Sequence, residues 1–287
     1  MRKALIFLLA TTALVALLQM ARAFRMSAGE FHPARERIGP PPPGLPGAAT
    51  VAIPSRAAVR LAAWWVPSRN GATIVLLHGS GGDRRQMLPE AQLLAAGGFG
   101  VVALDLPGTG ESGGSISWGR TERAAILGVL DWLAARAPRE LVGVLGFSMG
   151  ATMVVPVAAE DRRIRALILE GIVDDLDEQT NYEYRRWGPF TQLPARAAKR
   201  YEGYDPSLPL PLAAVKKLDG RPLLIIAGTN DRSVPIANSQ RLFEAASPPR
   251  EFWLIEGAQH GDYLRTAGEE YRRRVLAFFE GALLGSH

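Results

Sequence analysis

The sequence predicts an α/β fold, a mostly parallel doubly wound sheet with helices on both faces. Three observations carry this. From about Val51 onward, short apolar runs alternate with helix-length stretches. The runs are apolar at successive positions, as expected of strands covered on both faces. The polar residues suited to chemistry fall just after the runs, where doubly wound sheets collect their reacting groups.

The strand candidates are residues 59–65, 72–77, 100–104, 141–145, 164–169, 222–227 and 251–255. Helix candidates lie between them at 84–96, 120–135, 149–159, 236–246 and 262–282. This alternation implies right-handed βαβ crossovers. Asn70-Gly71 predicts a hairpin turn before the 72–77 run.

With 287 residues, 47% hydrophobic and 21% charged, the chain fits one large domain. It contains no cysteine, so disulfides, thiolate metal sites and a cysteine nucleophile are all excluded. The net charge of +5 reads as an Arg-rich solvated surface. No basic block is interleaved with aromatics, and no nucleic-acid partner is implied.

Arg2 and Lys3 precede an uncharged run that ends near Gln19 and Met20, followed by Ala21-Arg22-Ala23. A positive start, an apolar core and a small-x-small site describe an export signal. The run is long for that class and close to the ~20 residues needed to span a bilayer. Residues 1–23 are therefore read as a signal anchor or a cleaved signal peptide, with a buried helix as the third reading. The protein is expected to be membrane-anchored by this one segment, or exported after its cleavage. Residues 24–50 contain Pro40 to Pro43, Gly44, Pro46 and Gly47, and read as an extended spacer, the alternative being an ordered strap on the domain. The domain proper is expected over 51–285.

Gly146-Phe147-Ser148-Met149-Gly150 lies between a strand and a helix. This G-x-S-x-G turn exposes the serine at a sharp, strained corner, with the N-terminus of the next helix beneath the developing oxyanion. Ser148 is the expected nucleophile. The 72–77 run opens into His78-Gly79-Ser80-Gly81-Gly82. Its backbone suits an oxyanion hole, and the N–H groups of Ser80 and Met149 are the expected donors. A phosphate loop is excluded, because no Gly-Lys-Ser/Thr follows. His78 reads as a structural residue of this loop.

The chain has four histidines. His32 lies in the spacer, His287 is the last residue and His78 belongs to the oxyanion loop. His260, just after the 251–255 run, remains as the base. Asp231 follows the 222–227 run and is the expected acid that fixes the imidazole tautomer. Asp174 and Asp175 are the fallback acids, and Asp105 reads as a loop-holding residue. The chain order Ser, Asp, His is that of the nucleophile-elbow enzymes.

Together these motifs resemble the α/β-hydrolase superfamily. His78-Gly79 with Gly82, the Asp105 to Ser112 pattern D-x-P-G-x-G-x-S, the Ser148 elbow, Gly228 with Asp231 and the late His260 all fall in family order. The resemblance implies a mostly parallel eight-stranded sheet with a small helical cap, inserted at about 172–220. More narrowly, the 59–67 stretch with Trp64-Trp65 looks like the Bem46 or serine-aminopeptidase-like branch, which includes members with an N-terminal membrane segment. The superfamily implies ester, thioester or amide cleavage of a small-molecule acyl substrate. No cofactor or metal is implied. Carboxylic ester hydrolysis is the leading expectation. Peptidase or amidase action is the alternative, and a non-catalytic binding module the remote one.

The cap segment holds Tyr182, Tyr184, Trp187, Phe190, Tyr201 and Tyr204 with Arg185, Arg186, Arg196, Lys199 and Arg200. The aromatics are read as lining an acyl pocket or as burying the cap. The cations are read as facing lipid headgroups or an acidic substrate, or as merely solvated. Trp118 and Met149 are further candidate pocket liners.

Overall fold

The computed structural model describes residues 2–285; Met1, Ser286 and His287 lie outside it. Helix α1 (Arg2–Gly29) comes first, and is long and apolar enough to cross a membrane. Its first 17 or so residues project from the domain with their apolar side chains exposed, Phe7 being 75% exposed. Its last turns are docked, with Ala23 and Ser27 buried.

The segment from Glu30 to Ala48 is an ordered strap and not a free spacer. Phe31 is buried among the main core residues. Arg35 donates to the Gly110 and Ser112 carbonyls. Trp64 and Arg84 both donate to the Gly39 carbonyl at 3.3 Å, and Gln92 donates to the Pro43 carbonyl at 3.0 Å. A proline-rich chain leaves its carbonyls unpaired, and these are the acceptors that side-chain donors of the domain satisfy. Composition reveals the extended backbone but not the donors waiting for it.

The domain opens with β1 (Ala49–Pro54), β2 (Arg60–Val66) and β3 (Ala72–Leu77). A short 3₁₀ turn leads into α2 (Leu88–Ala96), followed by β4 (Gly100–Leu104), α3 (Arg120–Arg136), β5 (Leu141–Phe147), α4 (Met149–Glu160) and β6 (Ile164–Glu170). The cap helices are α5 (Leu176–Tyr184), α6 (Gln192–Tyr201) and the one-turn α7 (Pro211–Ala214). The chain closes with β7 (Leu223–Gly228), α8 (Ile236–Ala245), β8 (Arg250–Ile255) and α9 (Tyr263–Phe279).

Eight strands form one sheet in the order β1-β2-β4-β3-β5-β6-β7-β8. The β1–β2 and β2–β4 pairs are antiparallel and the rest are parallel. One apolar layer packs α3, α4 and α8 on one face; a second packs α2 and α9 on the other. The fold class expected from sequence is the fold observed.

One local expectation is corrected. Asn70-Gly71 forms a turn, with Gly71 at φ +87 and the Asn70 side chain accepting from Ala72 N–H. It is not a hairpin turn, because β4 sits between β2 and β3. The β3 run is buried at every position, so it needs neighbours and layers on all sides, and it leaves β2 for the sheet interior. Local turn chemistry fixes the bend, but the burial of the strand decides its partners.

Candidate active site

β5 ends at Phe147 and α4 begins at Met149, so the direction change falls on Ser148 alone. Ser148 has φ 49 and ψ −110, a conformation that carries strain for an L-residue. Its N–H donates to the Glu170 carbonyl at 2.8 Å, which ties the corner to the end of β6. Two glycines make room. A Cβ at Gly146 would lie 2.7 Å from the Ala151 nitrogen, and one at Gly150 would lie 2.4 Å from the Leu77 carbonyl oxygen. The corner therefore presents the hydroxyl at the carboxyl edge of the sheet.

His260 lies in the loop after β8, and Asp231 in the loop after β7. The structure brings both to Ser148. His260 Nε2 is 3.0 Å from Ser148 Oγ, and Nδ1 is 2.7 Å from Asp231 Oδ2. The Asp231 side chain is nearly fully buried, and that of His260 is about 20% exposed. Asp231 is itself held: its Oδ1 accepts from the N–H groups of Ser233 and Val234, each at 2.8 Å. With the carboxylate at Nδ1, that nitrogen carries the proton and Nε2 is free to accept from the serine hydroxyl.

Three supporting contacts were not foreseen from sequence. The Tyr263 hydroxyl donates to Asp231 Oδ2 at 3.3 Å from the first turn of α9. Burial and the nearby carboxylate push that phenol far above its ordinary range, so it stays a donor. The Phe147 ring lies against the imidazole with centroids 4.7 Å apart. Gly171, at φ +54, leaves space for that imidazole: a Cβ there would lie 2.8 Å from His260 Cε1. The only sequence signal for Gly171 is a glycine directly after a strand.

The His78–Gly82 loop faces the same corner. A Cβ on Gly79 would approach Ser148 Cβ to 3.2 Å, so the loop backbone lies beside the hydroxyl. Gly79 N–H is taken by Gln86 Oε1 at 2.8 Å. Among the described residues the N–H groups of Ser80 and Met149 have no protein acceptor. His78 is fully buried. Its Nε2 accepts from Leu106 N–H at 3.0 Å, so Nδ1 carries the proton and donates to the Gly79 carbonyl at 2.8 Å. Burial pushes its pKa down to about 4, which keeps it neutral. It is a loop-holding residue.

The other carboxylates are engaged elsewhere. Asp174 pairs with Arg241 at 2.7 Å, and Asp175 caps α5 through the N–H groups of Asp177 and Glu178. Asp105 is buried against Arg84, whose guanidinium also reaches Glu111. No group of three or more metal-ligating side chains occurs among the described residues.

Beside the corner, an apolar cavity of about 290 Å³ is lined by Trp118, Thr152, Met153, Leu176, Tyr204 and Leu208. It begins one helical turn beyond Ser148, whose carbonyl accepts from Thr152 Oγ1 at 2.9 Å. Trp118 lines it as expected. Met149 does not: it is wholly buried beneath the corner as the first residue of α4.

A family model for the alpha/beta hydrolase fold matches residues 72–201, the stretch holding the serine corner, the loop before it and much of the cap. The chain has the α/β-hydrolase fold. The same architecture recurs in the esterase Pf2001 of Pyrococcus furiosus, with a TM-score of 0.74 and 25% identity. That likeness covers 88% of this chain and all of the esterase. Protein Rv2307c of Mycobacterium tuberculosis is 28% identical over 250 residues, covering 84% of this chain and 83% of its own. Protein YfhR of Escherichia coli K12 is 26% identical over 264 residues, covering 88% and 87%. The matches to Rv2307c and YfhR reach well beyond the family-model segment, so the chain shares with both proteins more than its serine corner.

Proposed function

We propose that the chain is a membrane-tethered carboxylic ester hydrolase of the Bem46-like branch, acting through Ser148, His260 and Asp231. The observation that carries this is the unbroken hydrogen-bond chain from Asp231 through His260 to Ser148, at 2.7 and 3.0 Å. His260 Nε2 takes the hydroxyl proton as Ser148 Oγ attacks the acyl carbonyl. The oxyanion is received by the N–H groups of Ser80 and Met149. Mutational losses in comparable holes are about 2.7–4 kcal/mol per donor. His260 then gives its proton to the leaving alkoxide, and later draws one from the water that cleaves the acyl-enzyme. Asp231 stabilises the transient imidazolium through its hydrogen bond to Nδ1.

The apolar cavity along α4, which begins one helical turn from Ser148, supports an acyl group as the recognised part of the substrate. The likeness to the esterase Pf2001 supports ester over amide. The Trp64-Trp65 pattern of β2 supports the Bem46-like branch. The course of α1 supports a retained anchor: the helix runs unbroken through Ala21-Arg22-Ala23, and Ala23 is buried with Tyr184 and Ala195 of the cap.

The test compares short aryl esters with aminoacyl aryl amides on the purified full chain. The reading expects ester turnover at least 100-fold above amide turnover, abolished in Ser148→Ala. Turnover of the amides alone would retire the ester reading and leave a peptidase.

A further inference from the structure

Helix α1 and cap helix α6 pack side by side. Ser27 Oγ donates to the Ala195 carbonyl at 3.0 Å. Glu30 binds both Lys199, at 2.5 Å, and the Tyr184 hydroxyl, at 2.9 Å. His32 reaches Glu202 at 2.7 Å. These contacts climb both helices in the same direction, so the helices are parallel. The start of α6 therefore points toward the projecting apolar part of α1.

This packing fixes a level. Gly188, just before α6, lies against the Gln19 side chain, and Gln19 directly follows the exposed apolar run ending at Leu18. Around this level the cap exposes large apolar side chains: Trp187 is 39%, Phe190 49% and Leu193 69% exposed. The Arg22 guanidinium lies over the Trp187 ring at 4.5 Å, and that of Arg186 at 5.3 Å.

Charge at this level is unbalanced. Arg22, Arg25, Arg185 and Arg186 gather here and take part in no ion pair among the described residues, unlike Arg56, Arg85, Arg163 and Arg241. From Lys3 to Arg22 the helix rises roughly 28 Å at 1.5 Å per residue, close to the ~30 Å of a hydrocarbon core. Basic residues thus bracket one bilayer thickness, with a tryptophan at the boundary where such side chains prefer to sit.

We infer that the cap edge formed by Trp187, Phe190 and Leu193 is seated in the headgroup layer of an anionic bilayer, so that the site takes an acyl substrate delivered from the membrane surface. This rests on the reading of α1 as a retained anchor. The unpaired guanidiniums meet phosphate oxygens, and the apolar side chains reach the acyl boundary below them. A cleft of about 360 Å³ runs from Met26 on α1, past Tyr182 and Arg186, to Arg232 and Ser233, the residues directly after Asp231. It leads from the proposed bilayer contact toward the loop that carries Asp231.

The experiment uses the full chain reconstituted in vesicles of phosphatidylcholine with or without phosphatidylglycerol, carrying brominated lipid as a tryptophan quencher. The helix that would span contains no tryptophan, so quenching reports the cap edge. Trp187 is one of six tryptophans, so the wild type is expected to lose up to about a sixth of its emission, and Trp187→Phe to show less than a third of that loss. The quenching is expected to be at least twofold stronger with the anionic lipid. Equal quenching in the two proteins, or in the two lipids, overturns the inference. Retention after an alkaline carbonate wash reports the anchor separately: a chain that stays in the vesicles but shows no Trp187 quenching keeps its anchor and loses the cap contact. Cross-linking of Trp187 to a second copy, with no bromolipid quenching, would name a different occupant and also overturn it. In a second arm, Phe190→Asp with Leu193→Asp is expected to cut turnover of a vesicle-borne long-chain ester at least tenfold, with a soluble short-chain ester unchanged. An equal fall on both esters overturns delivery from the membrane. A wild type inactive on both esters sinks the ester reading, while the quenching still decides the bilayer contact.

Discussion

Gly171→Ala separates the space the imidazole needs from the strain of the backbone that provides it. Gly171 has φ +54, where a Cβ costs about 1–2 kcal/mol. The new methyl would lie 2.8 Å from His260 Cε1, 2.9 Å from Nδ1 and 2.7 Å from the Tyr263 hydroxyl. Restoring a contact of roughly 3.4 Å moves the ring about 0.6 Å, and displacements near 1 Å at a reacting group cost about 100-fold in rate. The expected loss in kcat is therefore about 10- to 30-fold, with a fall in Tm of roughly 2–8 °C. Gly257→Ala is the control: its φ of +78 carries the same backbone cost, but no atom lies within 4 Å of the added methyl. It should lose a similar amount of Tm and no rate. The assay is turnover of a short aryl ester, together with thermal melts of both variants. Wild-type rates in Gly171→Ala, or equal rate losses in the two variants, would refute the claim that Gly171 positions His260.

Asp231→Asn should lower kcat by about 10³- to 10⁴-fold, because the amide favours the wrong imidazole tautomer; a loss under tenfold would place the acid elsewhere. Phe31→Ala should destabilise the domain by about 3 kcal/mol, since Phe31 is 98% buried in the core, and denaturant titration checks it. No change would mean that the strap is only loosely applied. Glu170 is held protonated by burial, with Glu90 adding repulsion, its pKa pushed up to about 8 from an ordinary 4.5. Between those values the unfolded chain releases this proton while the folded chain keeps it, so stability is fullest below about 4.5 and falls as pH rises toward 8. Glu170→Gln keeps an acceptor for the Tyr271 hydroxyl, now 2.6 Å from Glu170, and should flatten the decline of Tm between pH 5 and 8. An unaltered slope would assign that dependence to other groups.

The serine, acid and loop of the candidate site were legible because each sits at a strand end and the strands announce themselves. β3, β5 and β7 are apolar nearly throughout, so Ser80, Ser148 and Asp231 fall on one edge once the sheet is parallel. His260 was legible by elimination within a small set. Tyr263 was not, because a tyrosine opening a helix carries no mark of the carboxylate it faces. β1 was not among the strand candidates: its burial is one-sided and Pro54 ends it, as suits an edge strand. The strap stood only as the alternative to a free spacer, for a different reason. Its contacts are single carbonyls met by Arg35, Trp64, Arg84 and Gln92, and such long-range pairings leave no periodicity in either partner. The docking of α1 on α6 was hidden in the same way, since Ala23 and Ala195 look in sequence like any other small residues.

The account depends most directly on Ser148 being activated by His260. Peptide mapping of the full chain after reaction with a fluorophosphonate measures this. One adduct, on Ser148, is predicted, formed at least 1,000-fold more slowly in a folded His260→Ala variant. An adduct on another residue, or an unchanged rate without the imidazole, would contradict it.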